Sequence, residues 1–248
     1  MPNFKTVPYN DLGSLDAALS DPDVCAYFVE PVQGEGGVIV PDEGYLKGVR
    51  DICTKRNVLF ICDEVQAGMG RTGHDAAWWH EGPSCKPDVM LLAKSLTGGL
   101  LPASAVLAND DVMLNVAPNE HGSTFGGNPL ACKVATAAIN VMIEEGISEN
   151  ARIMGERFRG GLREVQGKWG KDVLKDVRGR GLMNAIELNS GSRVSPWSLS
   201  LLLRDNGVLA KPTRNVIRFT PPCVIDENAV DMVIDGLDKA IGDAVDGK

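Results

Sequence analysis

The sequence predicts an α/β fold followed by a small α+β domain, and three observations carry that reading. Apolar runs of strand length recur in the first half: VCAYFVEPV, NVLFICDEV, PDVMLLAKSL and PASAVLAND. Stretches with helical spacing separate them, EGYLKGVRDICTKRN being the clearest, and such alternation reads as a sheet joined by helical crossovers. Near residue 140 the pattern changes to longer helical segments, and two strand-like runs return only afterwards.

Each element has a local reason. The first-half runs are continuous rather than alternating, which predicts parallel strands covered by helices on both faces, with functional groups at their carboxyl ends. A helix from about Pro129 to Glu145 leads through a glycine-containing break into EEGISENARIMGERFRGGLREVQ. A domain boundary falls there, giving residues 1–144 and 145–248. Beyond it, VRGRGLMNAIEL and NVIRFTPP read as strands, with RGRG at 178–181 as a turn before a strand. SPWSLSLLLRDNG and DENAVDMVIDGLDKAIGDAV read as helices, each preceded by a Ser or Asp able to cap it.

Composition narrows the function. A chain of 248 residues can bury a real core in one large or two modest domains. The net charge is −8 and the basic residues are scattered, which argues against a nucleic-acid backbone or an anionic membrane as partner and favours a small molecule. No apolar run approaches the roughly 18 residues of a membrane span, and MPNFKTVPYNDL lacks the basic and apolar parts of a secretory signal. The six cysteines form no CxxC and no zinc-type spacing with histidine, so they read as reduced thiols of an intracellular protein.

Three segments hold the chemistry. In FICDEVQAGMGRTG, residues 60–73, an apolar strand ends in two carboxylates and breaks into a glycine-rich loop. A lone strand-end Asp is more often a cap or a surface ion pair, because burying an unpaired charge is costly. In LLAKSLTGG, Lys94 follows an apolar run and precedes small residues. Such a lysine can simply snorkel to water, or its amine can be partly desolvated and so able to form a Schiff base. In HGSTFGGNPLA, Ser123 and Thr124 stand beside a glycine pair just before a helix, an arrangement suited to a phosphate. A strand-end acid, a strand-end amine and a phosphate-type loop together are what pyridoxal 5'-phosphate requires.

EPVQGEGG, DEVQAGMGRTG, PDVMLLAKSLTGG and HGSTFGGNPLA, in that order, resemble the class III (ω-amino acid) aminotransferases of the aspartate-aminotransferase fold, pyridoxal-phosphate fold type I. VPYNDL, NDDVM and RDNGVLAKPTRNVIRFTPP are similar to the ornithine branch of that class rather than its acetylornithine or 4-aminobutyrate branches. The resemblance covers essentially the whole chain. It implies that residues 1–144 are the C-terminal part of the cofactor-binding large domain and 145–248 the small domain. It implies transfer of the δ-amino group of L-ornithine to 2-oxoglutarate, giving glutamate 5-semialdehyde and glutamate.

The same resemblance assigns roles. Lys94 would hold the cofactor and move the proton; Asp63 would pair with the pyridinium nitrogen, and Gln66 would contact the phenolic oxygen. Thr124, with Ser123, would bind the phosphate of a partner subunit, which implies a homodimer. Glu35 and Arg218 would form a switch, paired while the terminal amine reacts and parted when Arg218 takes the carboxylate of 2-oxoglutarate. Members occur in the cytosol or the mitochondrial matrix. They carry further chain ahead of this sequence's start, including a phosphate-cupping glycine loop, the ring-stacking aromatic and residues that grip the substrate. From that follows the expectation that this polypeptide alone binds the cofactor poorly and is inactive, or acts as an interaction module. His74, His80 and His121 show no metal spacing, and Trp78 and Trp79 read as packing residues.

Overall fold

The computed structural model describes residues 3–192 and 194–246; Met1 and Pro2 of the opening stretch, and the last two residues of the second expected domain, lie outside them. The chain divides into two compact units. The first takes Met1–Pro31, Pro41–Met69 and Ala76–Glu145, and the second Val32–Val40, Gly70–Asp75 and Gly146–Lys248.

The first unit runs α1 (Leu12–Ala18), β1 (Ala26–Val29), α2 (Tyr45–Arg56), β2 (Leu59–Asp63), β3 (Val89–Leu92), β4 (Ala105–Ala108), α3 (Asp110–Met113) and α4 (Pro129–Glu144). Asp11 starts α1 by accepting the Ser14 N–H at 2.9 Å, and Asn57, at φ +56°, stops α2. Leu46, Val49 and Cys53 lie on one face of α2, three and four residues apart, and pack with Leu15, Val29, Phe60 and Cys62. The sheet order is β1-β2-β3-β4. β1, β2 and β3 are parallel, but β4 runs antiparallel to β3, against the expectation for all four runs. The link from β3 to β4 contains only a 3₁₀ turn, Lys94–Thr97, and no crossover helix to carry the chain back to the sheet's starting edge.

Coverage of both faces is a second expectation the structure corrects. Burial alternates along β2, with Phe60 and Cys62 inward, and Phe28, Val106 and Leu107 are 52%, 57% and 44% exposed. α1 and α2 serve the Phe60 face, while α4 packs on the Lys94–Thr97 turn.

The second unit contains α5 (Ile147–Trp169), β5 (Leu174–Arg180), β6 (Met183–Leu188), α6 (Pro196–Asp205), β7 (Lys211–Thr213), β8 (Val216–Phe219) and α7 (Glu227–Val245). Its sheet is antiparallel throughout, in the order β5-β6-β8-β7. Ala151, Met154, Phe158, Leu162 and Val165 line one face of α5 and enter a core with Leu174, Ile186, Leu203, Ile217 and Leu237. Ser195 and Asp226 cap α6 and α7 by accepting the Ser198 and Ala229 N–H groups. RGRG is not a turn before a strand: Arg178–Arg180 close β5, Arg180 pairs with Met183, and the hairpin turns on Gly181 and Leu182. Gly181, at φ +53°, takes the left-handed backbone that the turn needs.

α5 meets that hairpin at Gly155. A Cβ there would lie 2.0 Å from the Gly181 carbonyl oxygen, which Arg159 also holds at 2.8 Å. Backbone pinned in this way cannot retreat. Gly155→Ala is therefore expected to cost about 1–3 kcal/mol through overpacking, against the roughly 1 kcal/mol that Ala gains over Gly in a helix. Urea unfolding with a lowered midpoint checks this, and an unchanged or raised midpoint contradicts it.

Candidate active site

In the first unit the parallel register brings two strand ends level. Asp63, the last residue of β2, pairs with Leu91, and β3 ends one residue later at Leu92. Ala93 is extended, and Lys94 then opens the 3₁₀ turn with φ +46°. A left-handed backbone is uncommon for a residue with a side chain and persists only where the surroundings impose it. Here the turn is tied by Thr97, fully buried, whose hydroxyl bonds to the Leu101 carbonyl, and it is covered by α4. Asp63 Oδ1 accepts the Val65 N–H at 3.0 Å, which turns the chain into the glycine-rich loop that carries half-buried Gln66. Lys94 is exposed, so the desolvated amine expected from the sequence is not found: the chain leaves the sheet edge before it reaches this residue.

Glu64 is the residue that sequence reasoning missed. It is 1% exposed, and its two carboxyl oxygens accept the N–H groups of Ala77 at 2.6 Å and Trp78 at 2.9 Å. Its own N–H donates to the Leu91 carbonyl at 3.0 Å, which fixes the segment directly after Asp63 against β3. Gly68 fits over it, since a Cβ there would stand 2.6 Å from Oε2. Burial pushes the Glu64 carboxyl up to about 7, against the lowering effect of the two N–H donors. The available signal was a second acid at an apolar strand end with a glycine four residues on. Trp78 is buried beside it, whereas Trp79 is 47% exposed.

Ser123 and Thr124 are exposed, on the loop ahead of α4. Ser123 Oγ accepts the Gly126 N–H at 2.9 Å, and Asn128 caps α4 through the Ala131 N–H. Among the described residues no hydrogen bond joins either of them to Asp63 or Lys94.

In the second unit, residues 33–39 form a tight hairpin closed by the Gln33–Ile39 bridge. Gly37 and Val38 both have positive φ, +109° and +54°, and Val38 is fully buried. Arg178 clamps the hairpin: Nε donates to the carbonyls of Gly37 and Val38 at 3.1 Å, Nη2 to Gly37 at 2.9 Å, and Nη1 meets Asp176 and Glu187. The tip presents Glu35 to Arg218 of β8. Arg218 Nη1 donates to Glu35 Oε1 at 3.0 Å and Nη2 to Oε2 at 3.1 Å, a two-pronged pair, while Nη1 also reaches the Gly34 carbonyl at 3.0 Å. The Arg218 side chain is 6% exposed and that of Glu35 65%. Arg218 Nε is buried with no hydrogen-bond partner, a donor left over in a place where donors are normally used. Among the described residues no cluster of His, Cys, Asp and Glu could hold a metal ion, and no helix is long and apolar enough to cross a membrane.

Comparison with known proteins gives one family. Residues 3–241 match the model of aminotransferase class III. The mitochondrial ornithine aminotransferase of Rattus norvegicus is 51% identical over 242 residues, 97% of this chain and 54% of that protein. The ornithine aminotransferase structure from Toxoplasma gondii, described with partial occupancy of PLP at its active site, superposes with a TM-score of 0.94 at 44% identity, covering 100% of this chain and 58% of that one. An acetylornithine aminotransferase from Elizabethkingia anophelis superposes with a TM-score of 0.91 at 46% identity, over 98% of this chain and 63% of that one. The chain thus spans about half the length of the curated relatives it matches.

Glu64 makes stability depend on pH in a defined sense. The unfolded chain loses the proton near the ordinary carboxylate value, about 4.3, while the native state keeps it up to about 7. The contribution is therefore full at low pH and is lost as pH rises through that window. Wild type is expected to lose urea resistance relative to Glu64→Gln between about pH 4 and pH 8. Parallel unfolding midpoints across that range would show Glu64 to be uninvolved.

Proposed function

The chain belongs to the aminotransferase class III family, and from that membership we propose that it serves pyridoxal-phosphate-dependent transamination of the ornithine type. One observation supports this above the rest: a buried arginine, Arg218, is gripped from both prongs by an exposed glutamate and keeps a buried nitrogen without a partner. An arginine masked by a movable carboxylate suits an enzyme whose two substrates differ in whether they present a carboxylate at that point.

The donor set fits the cofactor. An aspartate closes one parallel strand and a lysine follows the end of its neighbour, and the lysine's backbone is held in a conformation it would not adopt unaided. Bound pyridoxal phosphate supplies an electrophilic aldehyde carbon and a ring able to accept the electrons released when a substrate C–H bond breaks. Lys94 Nζ would hold the cofactor at that carbon and would take and return the proton at the substrate's amino-bearing carbon. Asp63 would keep the pyridine nitrogen protonated, and Gln66 would contact the phenolic oxygen. Thr124 and Ser123 hold the phosphate for the partner subunit of a homodimer. Glu35 covers Arg218 while the terminal amine of ornithine reacts, then yields it to a carboxylate of 2-oxoglutarate. The products are glutamate 5-semialdehyde and glutamate. Relatives named as mitochondrial support the mitochondrial matrix as the compartment.

In the assembled enzyme with pyridoxal phosphate in excess, borohydride reduction is expected to fix the cofactor on Lys94, located by peptide mass, and Lys94→Ala to remove that label, whereas the isolated polypeptide is expected to take up little. Labelling spread evenly over surface lysines overturns the reading. In the assembled enzyme ornithine should exceed acetylornithine and 4-aminobutyrate in kcat/KM, the reverse order giving the acetylornithine assignment. Arg218→Met should lower kcat/KM for 2-oxoglutarate about 100-fold or more while changing the ornithine half-reaction little.

A further inference from the structure

β7 and β8 pair so that Lys211 stands directly opposite Arg218. Like charges in directly opposite cross-strand positions repel. A single carboxylate answers both: Glu35 Oε2, which accepts from Arg218 Nη2 at 3.1 Å, also accepts from Lys211 Nζ at 3.2 Å. The three side chains differ in freedom. Arg218 is 6% exposed and further tied to the Gly34 carbonyl, whereas Lys211 and Glu35 are each 65% exposed. The hairpin beneath Glu35 is fixed by the Arg178 clamp and by the buried, left-handed Val38, so its backbone has little room to swing.

We propose that Lys211 is a positioning residue for the Glu35–Arg218 switch: it shares Glu35 while the pair is closed and holds it when the pair opens. Opening is then a side-chain rotation about a hydrogen bond that Glu35 already makes, rather than a release into water. An incoming carboxylate competes with Glu35 for Arg218, and the competition costs less when the displaced group keeps a cation. The charges agree with this. Closed, the cluster has two cations and one carboxylate; with a substrate carboxylate on Arg218 and Glu35 on Lys211, the signs balance. Lys211 touches neither substrate nor cofactor in this scheme, and its effect passes through Glu35.

The inference rests on the switch reading, but its test needs neither cofactor nor turnover. The carboxyl carbon resonance of Glu35, assigned through Glu35→Gln, is followed against pH by NMR. Arg218→Met models the open state. There Glu35 should titrate lower than in Arg218→Met/Lys211→Met, by about half a pH unit or more, and Arg218→Met/Lys211→Arg should restore the lower value. Equal midpoints with and without Lys211 overturn the proposal. A second measurement leaves the buried arginine intact: in the otherwise unaltered chain, Glu35→Gln should displace the Lys211 side-chain resonances, and an unmoved Lys211 overturns the proposal equally. A negative result in either measurement strikes Lys211 alone, whereas failure to trap cofactor on Lys94 in the assembled enzyme strikes the transaminase reading.

Discussion

Parallel pairing of β1, β2 and β3 is the constraint from which the rest of the first unit follows. Parallel strands send their carboxyl ends to one edge, so Asp63 and the residues leading to Lys94 arrive there together. They also demand that the chain cross back after each strand. Between β1 and β2 a proper helix, α2, makes the return. Between β2 and β3 there are only two short 3₁₀ turns, Ala77–Glu81 and Pro83–Cys85, which satisfy few of their own backbone groups. Glu64 supplies what the missing helix would have provided, by accepting the N–H groups of Ala77 and Trp78 inside the unit. Asp88 works in the same way at the far end of the crossover, accepting the Phe60 N–H at 2.7 Å and Arg50 Nη1 at 2.8 Å.

The second unit fixes its loops with the opposite charge. Arg178 gathers the carbonyls of Gly37 and Val38, and Arg159 that of Gly181, so segments with little regular structure are held by charge-assisted hydrogen bonds. The consequence is a rigid backbone beneath one largely exposed side chain. Glu35 stands on a clamped hairpin, faces a fixed guanidinium and keeps most of its own surface in water. A fixed backbone under an exposed side chain suits the proposed switch, since the pair could part without disturbing the core beneath it.

RGRG shows how a motif can be misread when judged by its glycines. Its first arginine, counted as part of a turn, is the hub that holds the Glu35 hairpin, and only its last glycine turns the chain. Lys94 shows the converse. The sequence singled it out because an amine beside an apolar run looked poorly solvated, yet it is exposed. What marks it in three dimensions is the left-handed backbone on a turn tied by Thr97.

The positions of the first four strands and of the longer helices, along with the Ser195 and Asp226 caps, are legible along the chain. Hydrophobic spacing and capping act within one turn or one strand, and that information is local. Motif order, through family resemblance, is what puts forward Lys94, Asp63, Gln66, Ser123, Thr124, Glu35 and Arg218 as candidates. The direction of β4, the three-residue β7 and the contacts made by Glu64, Arg178 and Lys211 emerge only once the chain is folded. Arg178 meets the Gly37 carbonyl from 141 residues away, and Lys211 meets Glu35 from 176. No pattern along the chain records such meetings, because a charged side chain is stabilised by whatever groups the fold brings to it rather than by its neighbours in sequence.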